Sequence, residues 1–329
     1  MKKLLIYTVF SFVLPVLGIL FFYLDFKSFS NEIKANMHYI MTPSKEQNDV
    51  IFIGNSRTYV QIDPRKVDSV SGLRSYNLGL DGCNVPFFYM ALSKYLQCHP
   101  APGYVVINAD FAGFNTTEKV YNYPDYQEYL GDSLVAACLM PYYAEFRHGL
   151  LARFSLFMEI NSKPDEEKIA SLMYHVKGIK SKDKGVQADL KRGFSPSTNM
   201  WGTQQHKIDS YKSPFTSQGL DLLRQTIGIC KSKGIKVILV CPPLFKDYHS
   251  IIVNYDTIRD SLQSIANQYK VPYWIYADSY LGNTTDYFYN VEHLNATGAG
   301  IFSQMLGDDI RKYAADSTYV PDMVARKKK

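Results

Sequence analysis

Five short apolar runs recur along the chain after its N-terminal region, and each ends in polar or turn-forming residues. They span residues 49–54, 75–78, 104–108, 235–241 and 271–276. Continuous apolar runs of this length are typical of strands that are covered on both faces in a parallel sheet. The pattern therefore predicts five strands in one sheet.

Between these runs, apolar residues recur every three or four positions, which is the spacing of one face of a helix. This spacing predicts helices over Gln218–Lys233, over Ile258–Tyr269 and from about Asn295 to Ile310. Strands that alternate with helices are joined by right-handed crossovers. We therefore expect an α/β fold with a doubly wound parallel sheet covered by helices on both faces.

The stretch from about 114 to 214 breaks this alternation. It is rich in tyrosine and has a helical apolar pattern from Leu134 to Met158, but it contains no clear strand. About a hundred residues are too many for a loop in a compact domain. We expect a mainly helical insertion at one edge of the sheet, with substrate contact and plain packing as equally open roles.

The N-terminal segment Leu4–Leu24 is free of charged residues over twenty-one positions and follows Lys2 and Lys3. It is about 31 Å long as a helix, close to the roughly 30 Å thickness of a hydrocarbon core. A cleaved signal peptide is the rival interpretation, but no small-x-small site follows the run. We expect a retained transmembrane helix in residues 1–27, a juxtamembrane segment in 28–48, and the remainder in one compartment outside the cytoplasm.

The net charge of +5 arises from 36 basic and 31 acidic side chains, and it is concentrated at the two ends of the chain, including a basic tail over 317–329. The body of the protein is nearly neutral. Nucleic acid is therefore excluded as a partner, since its binding needs a basic face. The five cysteines are far apart and form no metal-binding or disulfide pattern, so no metal site is indicated.

Two segments place reactive side chains where a doubly wound sheet binds ligands, beyond the carboxyl ends of its strands. Gly54-Asn55-Ser56 follows the first strand and presents a serine on a tight turn. Asn290-Val-Glu-His293 precedes the last helix and supplies an imidazole. Each segment taken alone is also ordinary turn and cap chemistry.

Taken together, in this order and context, the two segments resemble the motifs of the SGNH, or GDSL-type, hydrolases. The resemblance extends from about residue 49 to 313, with the insertion outside it. It implies an SGNH-like domain over 49–316, a sheet in flavodoxin-like order, Ser56 as the nucleophile and His293 as the base.

Two further blocks of that family concern the oxyanion site. Asn77-Leu-Gly-Leu-Asp-Gly82 resembles the second block, and the resemblance implies that Gly82 donates its backbone N–H to the oxyanion. The third block, Gly-x-Asn-Asp, is not recognisable. Asn108 and Asn115 are the candidates for its side-chain donor.

Asn290 stands where the family has the aspartate that orients the histidine. An amide oxygen orients an imidazole but carries no charge to stabilise an imidazolium. There are three hypotheses: another carboxylate replaces the aspartate, Ser56 and His293 work alone and slowly, or the site is inactive. Asp286 is the favoured substitute, because Glu292 is adjacent to His293 and its side chain is expected to point elsewhere.

The resemblance implies a membrane-anchored serine esterase or O-acyltransferase that works through an acyl-serine and needs no cofactor. Anchored bacterial members act on envelope glycans beside membrane-bound O-acyltransferases. We therefore expect an envelope glycan or acyl ester as substrate, such an acyltransferase as partner, and a single-pass location in the bacterial cytoplasmic membrane with the domain on its periplasmic or extracellular side. The alternative is a catalytically inactive scaffold that binds a glycan or an envelope assembly.

Overall fold

The computed structural model describes residues 32–116, 131–139, 191–202, 209–246 and 248–323, together with Val13, Tyr126 and Tyr129. The predicted anchor, apart from Val13, and most of the predicted insertion lie outside the described residues. Within the part of the chain that is described, no helix has the length and apolar character needed to cross a membrane.

Five parallel strands form one sheet, and this confirms the predicted strands. They are β1 Val50–Ile53, β2 Ser75–Asn77, β3 Tyr104–Asn108, β4 Lys236–Cys241 and β5 Tyr273–Ile275. Their order in the sheet is β2-β1-β3-β4-β5, and every pair of neighbours is parallel. This is the flavodoxin-like order, in which the chain moves to one side after β1 and to the other after β2. The crevice for a ligand is therefore expected at the carboxyl ends of β1 and β3.

Helices cover the sheet. They are α1 Glu32–Met41, α2 Ser56–Gln61, α3 Pro64–Ser71, α4 Val85–Cys98, α5 Ser133–Leu139, α6 Ser217–Ser232, α7 Tyr255–Tyr269 and α8 Ala296–Ala315. Short 3₁₀ turns are formed by Lys191–Gly193, Tyr248–Ile251, Tyr280–Asn283 and Thr285–Tyr287. The three helices predicted from apolar spacing correspond to α6, α7 and α8.

The sheet has a hydrophobic core on each face, because successive strand residues point to opposite sides. Ile51 and Ile107 belong to the core beneath α4, α6 and α7. Phe52 and Val106 belong to the core beneath α8, together with residues of that helix such as Phe302. Coverage of both faces explains why the strands read as continuous apolar runs rather than as alternating ones.

Helix α1 belongs to this domain, which corrects the expected domain start at residue 49. Met37 and Ile40 are fully buried in the core and α1 packs on α4. The side-chain nitrogen of Asn36 lies within hydrogen-bond distance of the carbonyl oxygens of Gly79, at 2.8 Å, and Gly193, at 3.1 Å. Residues 36–48 therefore pack as part of the α/β domain.

The segment 193–197, at the far end of the predicted insertion, also belongs to the domain. A Cβ atom on Gly193, which has φ +81°, would collide with the carbonyl oxygen of Asn77, so only glycine fits there. The Ser195 N–H donates to the Tyr59 carbonyl at 3.1 Å, and the Ser197 carbonyl accepts from the Ala296 N–H at 2.7 Å. This segment ties α2 to the start of α8.

Candidate functional site

Ser56 is presented at the carboxyl end of β1 by a turn that has no room for larger residues. A Cβ on Gly54 would collide with Thr58 Oγ1 and lie 2.5 Å from Asn108 Cβ. Asn55 is the N-cap of α2, and its side-chain oxygen accepts from the Arg57 N–H at 3.0 Å. The serine hydroxyl therefore stands at the first residue of α2, beyond the carboxyl end of β1.

His293 lies in the loop that leads into α8. Phe288 and Leu294 form an antiparallel bridge across this loop, and the Tyr289 N–H donates to the His293 carbonyl at 3.1 Å. Asn295 caps α8 by accepting from the Gly298 N–H at 3.0 Å. The loop is thus closed on itself and joined to a capped helix, which holds the imidazole in place.

The structure brings Ser56 and His293 together in hydrogen-bond contact. Ser56 Oγ lies 2.9 Å from His293 Nε2, and His293 Nδ1 lies 3.1 Å from Asn290 Oδ1. Asn290 Oδ1 also accepts from the backbone N–H groups of His293 and Glu292, at 2.8 and 2.9 Å. Because Asn290 presents its oxygen to the ring, Nδ1 carries the hydrogen and Nε2 is left to accept the serine proton.

The charge state of His293 follows from its surroundings. Burial, with a further contribution from the Arg57 guanidinium, lowers the pKa of His293 to about 3. The ring is therefore neutral at ordinary pH and able to accept a proton. The uncharged Asn290 does not offset this effect, so an imidazolium formed during reaction is poorly stabilised.

A buried ion pair, Arg57–Asp110, lies directly behind the serine. Arg57 is 1% exposed, and its guanidinium contacts the Asp110 carboxylate at 2.7 Å and the carbonyls of Pro242 and Pro243 at 2.8 and 3.0 Å. Burial lowers the pKa of the Arg57 guanidinium, but the neighbouring Asp110 carboxylate raises it, and the net result is a raised pKa. The arginine joins the ends of β1, β3 and β4.

Sequence reasoning missed this pair. The available signal was an arginine directly after the serine and an aspartate two residues beyond β3, both at the carboxyl edge of the sheet. Nothing in their spacing shows that they meet.

Gly82, the expected backbone oxyanion donor, sits in a tight turn with φ +63°. The Cys83 N–H donates to the Leu80 carbonyl across this turn at 3.4 Å, and the Leu80 N–H donates to the Gly54 carbonyl at 3.0 Å. The loop is thereby attached to the turn that carries Ser56. The role of Gly82 as the backbone oxyanion donor stays a prediction.

Asn108, one candidate side-chain donor, is buried, and its Nδ2 donates to Asn55 Oδ1 at 2.8 Å. The role of Asn108 at the oxyanion site stays a prediction. Asn115, the other candidate, is buried beside Phe114, whose carbonyl accepts from the Thr216 N–H at the cap of α6.

The proposal that another carboxylate replaces the family aspartate is wrong for both candidates. The Asp286 side chain is exposed in a 3₁₀ turn, and the His293 nitrogen that it would hold is bonded to Asn290. The Glu292 carboxylate accepts from the Tyr248 hydroxyl instead. Among the described residues, no three His, Cys, Asp or Glu side chains converge as a metal site would require.

No family model matches this chain, and no curated protein matches it. Among solved structures, a candidate acylhydrolase from Bacteroides fragilis is 15% identical, with 87% of this chain and 96% of that chain covered and a TM-score of 0.42. A GDSL-like lipase from Bacteroides thetaiotaomicron is 14% identical, with 88% and 100% covered and a TM-score of 0.39. A catalytic mutant of an acetylxylan esterase from Geobacillus stearothermophilus is 9% identical, with 80% and 94% covered and a TM-score of 0.38.

These similarities are too low to support an inference about activity. An assignment of activity therefore depends on the geometry of Ser56, His293 and Asn290 in this chain itself.

Proposed function

We propose that this protein is a serine esterase that works through an acyl-Ser56 intermediate. The observation that supports this is the line of contacts Ser56–His293–Asn290 at the carboxyl edge of the sheet. In the reaction, Ser56 Oγ adds to the ester carbonyl carbon while its proton moves to His293 Nε2. The leaving alcohol takes that proton as the carbon–oxygen bond breaks, and water or a second hydroxyl then receives the acyl group by the reverse steps.

We further propose an O-acyl ester of a bacterial envelope glycan as the substrate, with hydrolysis or O-acyl transfer as the outcome. The domain would stand outside the cytoplasmic membrane on an N-terminal anchor, beside a membrane-bound O-acyltransferase. Support for the location comes from the uncharged run Leu4–Leu24 and its preceding lysines. Support for the substrate class comes from the motifs around Ser56 and His293.

The test is covalent labelling of the serine. We expect a fluorophosphonate probe to modify Ser56, as shown by mass spectrometry of the labelled peptide, and the protein to cleave p-nitrophenyl acetate. Ser56→Ala should abolish both, while Ser217→Ala, which removes an exposed serine at the start of α6, should change neither. Ester cleavage that persists in Ser56→Ala would contradict the proposal.

A second candidate function is that of a catalytically inactive scaffold. One observation favours it: the partner of His293 Nδ1 is the uncharged Asn290, which does not stabilise an imidazolium as a carboxylate does. An inactive scaffold shows no labelling of Ser56 and no esterase activity, so the same experiment separates the two functions.

A further inference from the structure

Asn55, the residue before Ser56, has its side chain fixed at one end only. The residue is 5% exposed. Its Oδ1 accepts two hydrogen bonds, one from the Arg57 N–H at 3.0 Å and one from Asn108 Nδ2 at 2.8 Å. The amide nitrogen therefore faces away from the interior partners that hold the oxygen.

That nitrogen has no hydrogen-bond partner among the described residues, whereas the oxygen of the same amide has two. A Cβ built on Gly113 would lie 3.3 Å from it, so Asn55 Nδ2 faces Gly113. The Gly113 carbonyl in turn accepts from the Val85 N–H at 2.7 Å. The Asn55 amide nitrogen therefore lies beside the loop after β3 that contains Gly113.

Another amide expected at this place is already engaged, because Asn108 Nδ2 donates to Asn55 Oδ1 at 2.8 Å. Asparagine also stands where the related motif Gly-Asp-Ser has an aspartate, and an ionised aspartate has no hydrogen to donate.

We infer that the Asn55 amide is the side-chain oxyanion donor of this site. The inference rests on the proposed acyl-serine reaction. As the Ser56 Oγ–carbon bond forms, an electron pair of the carbonyl moves to its oxygen and the serine proton moves to His293 Nε2. Asn55 Nδ2 donates to the oxyanion so formed, and it donates less strongly to the neutral carbonyl before and after the step. The pair returns when the alcohol leaves with the proton from His293.

Two substitutions test the donor without removing the helix cap. Asn55→Asp keeps the shape and the acceptor for Arg57, and Asn55→Ser keeps a good N-cap without adding charge. Loss of one oxyanion donor lowers kcat about 10²- to 10³-fold. We expect a fall of that order in both variants with p-nitrophenyl acetate and little change in KM. The melting temperature of each variant establishes that it is folded.

Asn254→Asp is the matched control. Asn254 is likewise an N-cap, of α7, but its Nδ2 already donates to the Ser213 carbonyl at 2.9 Å, and it lies outside the site. We expect its kcat to equal that of the wild type.

The outcomes separate this inference from the proposed function. Labelling of wild-type Ser56, with slow turnover in both Asn55 variants, supports the donor. If the wild type is labelled and active but either folded Asn55 variant keeps a kcat within about threefold of the wild-type value, the assignment of Asn55 as the donor is overturned and the proposed function stands. A loss of kcat confined to Asn55→Asp is one such result, and it would indicate charge repulsion. A wild type that is neither labelled nor active overturns the proposed function and the donor together.

Discussion

Two histidines, one buried and one half-buried, lie at opposite ends of the same sheet. His99 lies at the amino end, where its ring stacks on Tyr95 with centroids 4.5 Å apart and its Nε2 lies 2.7 Å from the Tyr39 carbonyl oxygen. His293 lies at the carboxyl end, between the Ser56 hydroxyl and Asn290.

Burial lowers the pKa of both imidazoles, so both rings are neutral at ordinary pH. The two rings differ in the group that lies beside Nε2. The carbonyl beside His99 only accepts a hydrogen bond, whereas the hydroxyl beside His293 has a proton to give. A low pKa therefore does not distinguish a base from a structural ring, but the group that faces Nε2 does.

The strongest way to sharpen this comparison is to give His293 a charged partner. We expect Asn290→Asp to raise kcat for p-nitrophenyl acetate by about 10²- to 10⁴-fold, because a carboxylate stabilises the imidazolium and the opposite exchange in a serine protease triad costs about 10⁴. Aspartate also keeps an acceptor for the two backbone N–H groups that Asn290 holds.

Asp286→Asn is the control for that substitution, because this exposed side chain does not contact His293. Its kcat should equal that of the wild type. Unchanged turnover in Asn290→Asp would show that imidazolium stabilisation does not limit the reaction.

A second measurement uses pH. The base is the neutral ring, so kcat/KM is constant above the pKa of His293 and falls below it. Since burial and Arg57 lower that pKa to about 3, activity at pH 5 should stay close to that at pH 7, whereas an unperturbed histidine near 6.5 would lose most of it. Asn290→Asp should move the acidic limb to higher pH. A wild-type limb near pH 6.5 would contradict the assignment.

The smallest expected effect is at the other end of the sheet. His99→Phe keeps an aromatic ring against Tyr95 and removes the hydrogen bond to Tyr39. We expect a loss of about 1 kcal/mol in the free energy of unfolding and a fall of about 2–4 °C in melting temperature. Esterase activity should not change, and a large loss of turnover in the folded variant would mean that the two ends of the sheet are coupled.

The strands and the long helices were predictable because local hydrophobic patterns in the sequence indicate them. Each strand is buried on both faces and is therefore apolar throughout, and α6 to α8 each show one apolar stripe. Helix α1 was not expected, since its contacts are with β2 and α4, far along the chain. Its polar residue Asn36 is expected from the sequence to be exposed, but its side chain is buried against backbone carbonyl groups.

The site was predictable only in part, for a similar reason. Ser56 and His293 follow from their places beside a strand end and a helix start. Arg57–Asp110 joins residues 53 positions apart, and no local pattern reports such a contact. Asp286 was misleading because nearness in sequence to His293 does not determine where a 3₁₀ turn directs a side chain.

The contact between Ser56 and His293 spans 237 positions of the chain, and this separation has a consequence for folding. Closing a loop of that size costs conformational entropy before the contacts that it brings together can offset the cost. Contacts of this kind therefore form late in folding. The strands on both sides of β1 must pair, and α8 must dock, before serine and imidazole meet. A partly folded chain therefore has no assembled serine–histidine pair, and under the proposed function it cannot attack esters before the domain is complete.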